Sequence, residues 1–190
     1  MNCEWLIVGG GIHGVHIAAR LIGEAGVCWE KLHIVDPGGH LLSRWRKYTF
    51  ATGMTHLRSP SVHHLDLHPL SLRHFARKRK VRTSGLFAWP CERPALSLFD
   101  THCDQVINHF ALSSLHIQER VVQCCVECHG VCVQLSHGDK VHTKNVVLAI
   151  GASDQPEWPG WAPRNNTRVQ HIFDPGFEGC SCSDETVIVV

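Results

Sequence analysis

Residues 4–36 read EWLIVGGGIHGVHIAARLIGEAGVCWEKLHIVD, and no other stretch restricts the fold of this chain so tightly. An apolar run at 6–8 predicts a short buried strand. Gly9, Gly10, Gly11 and Gly14 then form a turn, after which Val15, Ala18, Ala19 and Ile22 recur at helical spacing until Gly26 stops the helix. A second strand, KLHIVD, ends in Asp36. Strand, glycine turn, helix and strand in this order imply the α/β class, with a parallel sheet of Rossmann-like type.

The glycines at 9, 11 and 14 fit G-x-G-x-x-G, and each has a mechanical task. The first permits the tight turn, and the second lets the backbone approach a pyrophosphate. The third lets helix and strand pack closely, so the helix N-terminus faces the phosphates. Asp36 stands 22 residues after Gly14, the spacing at which a carboxylate accepts hydrogen bonds from a ribose hydroxyl. FAD and NAD share the pyrophosphate and the adenosine ribose, so the motif by itself leaves both open.

With 190 residues the chain can bury a real core, as one domain or a large part of two. A formal net charge of +1 gives no overall field for nucleic acid or an anionic membrane, and neither is expected as a partner. No basic leader precedes a long apolar stretch, and no run reaches the ~20 apolar residues of a membrane span, so a cytoplasmic protein is expected. Ten cysteines and sixteen histidines invite a metal or haem reading. In RVVQCCVECHGVCVQLS, however, Val122, Cys124, Val126 and Cys128 alternate as in a strand, and cysteine there serves as a small buried hydrophobe. Cys125 to His129 spells C-x-x-C-H, but haem attachment would need export. Zinc through Cys125, Cys128 and Cys132 lacks a second, paired half, so no metal site is expected.

Residues 38–67 show no clean period and read as a long loop-rich excursion, a kind of segment that is usually functional. A helix follows from Pro69, ending in cations that suit a solvated helix end better than a nucleic-acid patch. Another is expected from Pro94, with Phe99, Cys103, Val106 and Phe110 as its core stripe. Strands are expected at 115–117, 120–124 and 131–135, with a hairpin at His129-Gly130. A further buried parallel strand at 146–150 ends in Gly151.

Together, IVGGGIHGVHIAARL, IVDP and VVLAIGASDQPEWPGW resemble the flavoproteins with two dinucleotide-binding domains. The nearest group is the flavin-dependent monooxygenases, including N-hydroxylating and Baeyer–Villiger relatives. In that family a late strand closes with an Ala-Thr-Gly-like motif followed by prolines. Here it reads Ala149-Ile150-Gly151 with Pro156 and Pro159 after it, Ile150 replacing the usual Thr.

The resemblance implies FAD at the first glycine motif and NAD(P)H as co-substrate. Its cofactor-binding residues would be Gly9, Gly10, Gly11, Ile12, His13 and Gly14, then Asp36 and Pro37, and Gly151. Trp45, Met54 and Arg58 in the excursion are the candidates for the flavin ring, with packing and a surface ion pair as their plain alternatives. No catalytic residue stands out, because flavin chemistry asks little of acid–base side chains. The expected function is an FAD-binding, NAD(P)H-dependent oxidoreductase of monooxygenase type acting on a small-molecule substrate. Two alternatives stand beside it: an NAD-dependent dehydrogenase using residues 9–14, and a catalytically silent nucleotide-binding protein. The resemblance also implies an FAD domain over 1–182, with an insertion at 38–112 and a β-meander. The run at 183–190 would be the first strand of an NAD(P)H-binding domain, and the chain the N-terminal portion of a longer enzyme.

Overall fold

The computed structural model describes residues 1–78, 85–151, 157–163, 169–174 and 177. The expected strand at 183–190 and Pro156 lie outside these residues.

Strand β1 (Asn2–Val8) is longer than the apolar run suggests, because it is hydrogen bonded along both edges. Helix α1 (Ile12–Gly23) buries Gly14, Val15, Ala18 and Ala19, and β2 (Leu32–Val35) completes the opening unit in parallel register with β1. The excursion is less irregular than its sequence suggests, for it contains helix α2 (Ser43–Ala51). Thr49 is the residue this helix buries, so its sequence carries no apolar stripe to betray it. It also begins after Leu42 at φ 64°, without a capping side chain.

Helix α3 (Ser71–Lys78) starts two residues beyond Pro69. Strands β3 (Phe87–Ala88) and β4 (Arg93–Pro94) form a small ribbon, so Pro94 closes a strand instead of opening a helix. Hydrogen bonds from Leu57 N to Pro94 O (2.9 Å) and from Ala95 N to Leu86 O (2.8 Å) hold this backbone extended. Helix α4 (Leu96–His109) buries Phe99, Cys103 and Val106 as its spacing predicts. Strands β5 (His116–Ile117), β6 (Val121–Glu127), β7 (Gly130–Leu135) and β8 (Lys140–Leu148) follow.

The six-stranded sheet has the order β5-β2-β1-β8-β7-β6. Its first four strands are parallel, and β8, β7 and β6 form the antiparallel meander. Ile7, Leu32 and Ile34 belong to the larger core with α1 and α4, while Leu6, Val35, Val133, Leu135 and Val141 form a second cluster. Period-two alternation thus sends successive side chains of β1 to opposite cores.

The cysteine expectation holds for buried Cys103 and fails for Cys124, Cys125 and Cys128, which are exposed. Strand β6 is the sheet edge, and a bulge between Val121 and Gln123 breaks the inferred alternation. Cys128 sits in the turn before β7.

Candidate functional site

The site forms where the C-terminal ends of β1, β2 and β8 meet the start of α1. Gly9 leaves β1 at φ 112°, and a β-carbon there would stand 2.4 Å from Ala149 O. Its N–H donates to Val35 O (2.8 Å), while Ala149 N donates to Val8 O (2.8 Å), drawing the three strand ends together. Gly14 is packed against the turn so tightly that a β-carbon would lie 1.8 Å from Gly9 O. Gly11 differs, since a β-carbon there meets nothing within 4 Å. It is the N-cap of α1, and no side chain caps that helix. The loop therefore offers open space at a positive helix end, which is what a phosphate needs.

Asp36 binds the glycine loop directly. Its Oδ2 accepts from Gly10 N at 2.7 Å, and its Oδ1 accepts from Gly38 N at 2.8 Å. Leu42 N donates to Gly10 O (2.8 Å), so the loop is tied to the start of the excursion as well. Each Asp36 oxygen keeps a lone pair for a further donor such as a ribose hydroxyl. Ile12 packs partly into the core, whereas His13 and Pro37 are exposed. Gly151, just past β8, is exposed at φ 64° with nothing within 4 Å of a built β-carbon.

Beside Asp36 lies a cavity of about 250 Å³, lined also by Gly38, Ser43, Arg44, Lys47, Tyr48 and Phe173. The Tyr48 and Phe173 rings are 4.6 Å apart. Sequence reasoning passed over this group, because α2 is not apparent in the sequence and Phe173 is distant along the chain.

The three excursion candidates are not gathered at the loop. Trp45 faces away from this cavity: its ring is 5.7 Å from Phe99, and its Nε1–H donates to Asp100 Oδ1 at 3.1 Å. Met54 packs against the main core and Arg58 is exposed.

A second polar cluster lies between α3 and α4. His102 is completely buried, and its Nε2 lies 3.0 Å from Ser71 Oγ, which donates to Asp66 Oδ2. His102 Nδ1 has no hydrogen-bond partner. This assigns the ring proton to Nε2, with Ser71 relaying the bond to the carboxylate. The serine proton points at the acid and not at the imidazole, so the group is no nucleophilic triad. Burial and, less strongly, the nearby His64 ring lower the His102 pKa to about 4, against the pull of Asp66.

Among the described residues no helix is long and apolar enough to cross a membrane. No curated protein matches this chain. Several solved structures share its fold. A flavin-containing monooxygenase from Stenotrophomonas maltophilia superposes with TM-score 0.54 at 16% identity, over 83% of this chain and 41% of that one. A bacillithiol disulfide reductase from Staphylococcus aureus gives 0.52 at 16%, over 80% and 39%. An NADP+-bound variant of cyclohexanone monooxygenase from Rhodococcus sp. Phi1 gives 0.51 at 18%, over 85% and 29%. The chain thus spans less than half the length of these structures. Residues 6–153, which include the glycine loop, Asp36 and Gly151, match the FAD-NAD(P)-binding family, and the chain belongs to that family.

Proposed function

We propose that this chain is the FAD-binding part of an NAD(P)H-dependent oxidoreductase of monooxygenase type, acting on a small-molecule substrate. The observation that carries the reading is the open space over Gly11 at the start of α1, within one turn of the Asp36 carboxylate. A dinucleotide's pyrophosphate suits the first and its adenosine ribose suits the second. The matching fold of a flavin-containing monooxygenase favours FAD over a nicotinamide cofactor at this loop.

The residues divide the work as follows. Gly9 and Gly14 shape the loop, Gly11 leaves room for the phosphates, and the N–H groups opening α1 donate to them. Asp36 holds the loop and receives the ribose. The cavity at Tyr48 and Phe173 takes the adenine, being smaller than the ~300–1,000 Å³ of a whole-ligand pocket. Gly151, at the end of β8, gives the cofactor a second close approach to backbone. Bound flavin supplies the redox chemistry itself, while the protein positions it. A reducing, cytoplasmic setting fits the free thiols of the described cysteines.

The absorbance spectrum of the purified protein tests the proposal, together with chromatography of the nucleotide released on denaturation. Flavin bands and released FAD are expected. A colourless protein that takes up NAD+ but not added FAD would favour the dehydrogenase reading.

A further inference from the structure

We infer that the outward face of the β6-β7-β8 meander is a zinc site built from Glu127, Cys132 and His142, with Cys125 placed as the fourth ligand. One carboxylate oxygen, the Cys132 Sγ and one His142 ring nitrogen all lie within 4.8 Å of one another. Sheet register brings them there. Cys125 pairs with Cys132, and Cys132 pairs with His142, so these three side chains stand in one row across three strands on a common face. Glu127 is two residues beyond Cys125 and so shares that face. Its opposite number is Gly130, which has no side chain to intervene, and its Oε2 reaches 3.3 Å from His142 Nδ1.

The donor set selects the ion. Thiolate and imidazole beside a carboxylate favour zinc over the hard cations magnesium and calcium. A tetrahedral zinc holds such ligands about 3.5 Å apart, so Glu127, Cys132 and His142 must draw in from their 4.8 Å span and Cys125 must turn toward them from its place in the same row. With Cys125 bound as well, two thiolates and one carboxylate more than offset the charge of the dication, and binding releases both thiol protons to solvent. The spacing motif of sequential cysteines misses this site, because Cys128 lies in the turn and His142 comes from the next strand.

The location says what the ion does. His142 pairs with Asn2 at the start of β1, whereas the glycine loop follows Val8 at its far end. The separation is about 20 Å along the strand, which removes the ion from the nucleotide chemistry. Its effect is to clip β6 to β8 across β7. Strand β6 is an edge whose apolar residues gain little from the core, with Val126 89% exposed and Val122 56% exposed. The ion is a staple for that edge.

The test uses the whole chain, stripped with chelator and titrated with Co2+ as the spectroscopic probe and then with Zn2+. The expected result is one equivalent of Co2+ with a thiolate-to-metal charge-transfer band, displaced by Zn2+, and a higher unfolding midpoint with Zn2+. Cys132→Ser and His142→Ala should each lower zinc affinity by at least the ~10–100-fold lost with a supporting residue, and Cys125→Ser should weaken it too. Cys103→Ser should change nothing, since Cys103 is buried and its burial raises the thiol pKa. Circular dichroism checks that the variants fold, as substitutions on this outer face should allow. FAD affinity should be equal with and without zinc, which separates this site from the nucleotide reading. Absence of the charge-transfer band, or undiminished affinity in both Cys132→Ser and His142→Ala, would overturn the site. Undiminished affinity in Cys125→Ser would overturn that ligand's assignment.

Discussion

The Gly14 α-carbon lies against the Gly9 carbonyl, leaving a built β-carbon 1.8 Å from that oxygen. Gly11 lies between them in sequence, yet its own β-carbon would meet nothing within 4 Å. One motif therefore contains a glycine demanded by the fold and a glycine at which the fold leaves room for a side chain. Gly14→Ala must push backbone away from backbone and should lower the thermal midpoint sharply. Gly11→Ala should leave it within a degree or two, as a surface change worth no more than ~0.5 kcal/mol does. Thermal unfolding of both variants without ligand checks this, and equal losses would contradict it.

Asp36 itself holds the glycine loop together. Its two oxygens hold Gly10 N and Gly38 N. Asp36→Ala orphans both donors, so stability and FAD binding should fall together, each by about 1–3 kcal/mol. Asp36→Asn should not rescue, because its NH2 group would face one of the two N–H donors. Chemical denaturation with calorimetric FAD titration reads both effects. Normal stability with lost binding would mean that Asp36 touches only the ligand.

Trp45 should prove structural. Its indole donates to Asp100, whose carboxyl pKa is raised by burial and drawn back by that hydrogen bond. Trp45→Phe removes the donor and should destabilise the protein by about 1–3 kcal/mol. Nucleotide affinity should not change. A shifted flavin spectrum in this variant would return Trp45 to the cofactor.

Protonation of His102 should destabilise the protein in mild acid. Its folded pKa is about 4 against an ordinary 6.5, so the unfolded chain takes up the proton first. Stability is full above pH 6.5, falls as pH drops toward about 4 and levels below. Such a shift is worth on the order of 3 kcal/mol. His64, also lowered by burial, deepens the slope, and Asp66, whose folded pKa lies below the ordinary carboxylate value, adds to the loss at its acid end. Denaturation midpoints for wild type and His102→Leu across this range measure the effect. An equal slope in both would clear His102 of it.

The opening unit was legible because local signals and long-range packing coincide there: the apolar residues of β1, the glycines and Asp36 each have one physical solution. Helix α2 was not, because Trp45 meets α4 and Tyr48 meets Phe173 only after the chain has folded. Pro94 misled because its extended backbone is set by Leu57 and Leu86, which are distant in sequence. The meander's strands were visible, but the exposure of Cys124 and Cys125 depends on β6 being the edge, a property of sheet order and not of the segment.

The most direct measurement is a calorimetric titration of the wild-type chain and Gly11→Val with FAD. If the open space over Gly11 is the pyrophosphate site, wild type binds one FAD and the variant, still folded, binds none detectably. Equal affinity in the two proteins would contradict the account, because the phosphates would then lie elsewhere.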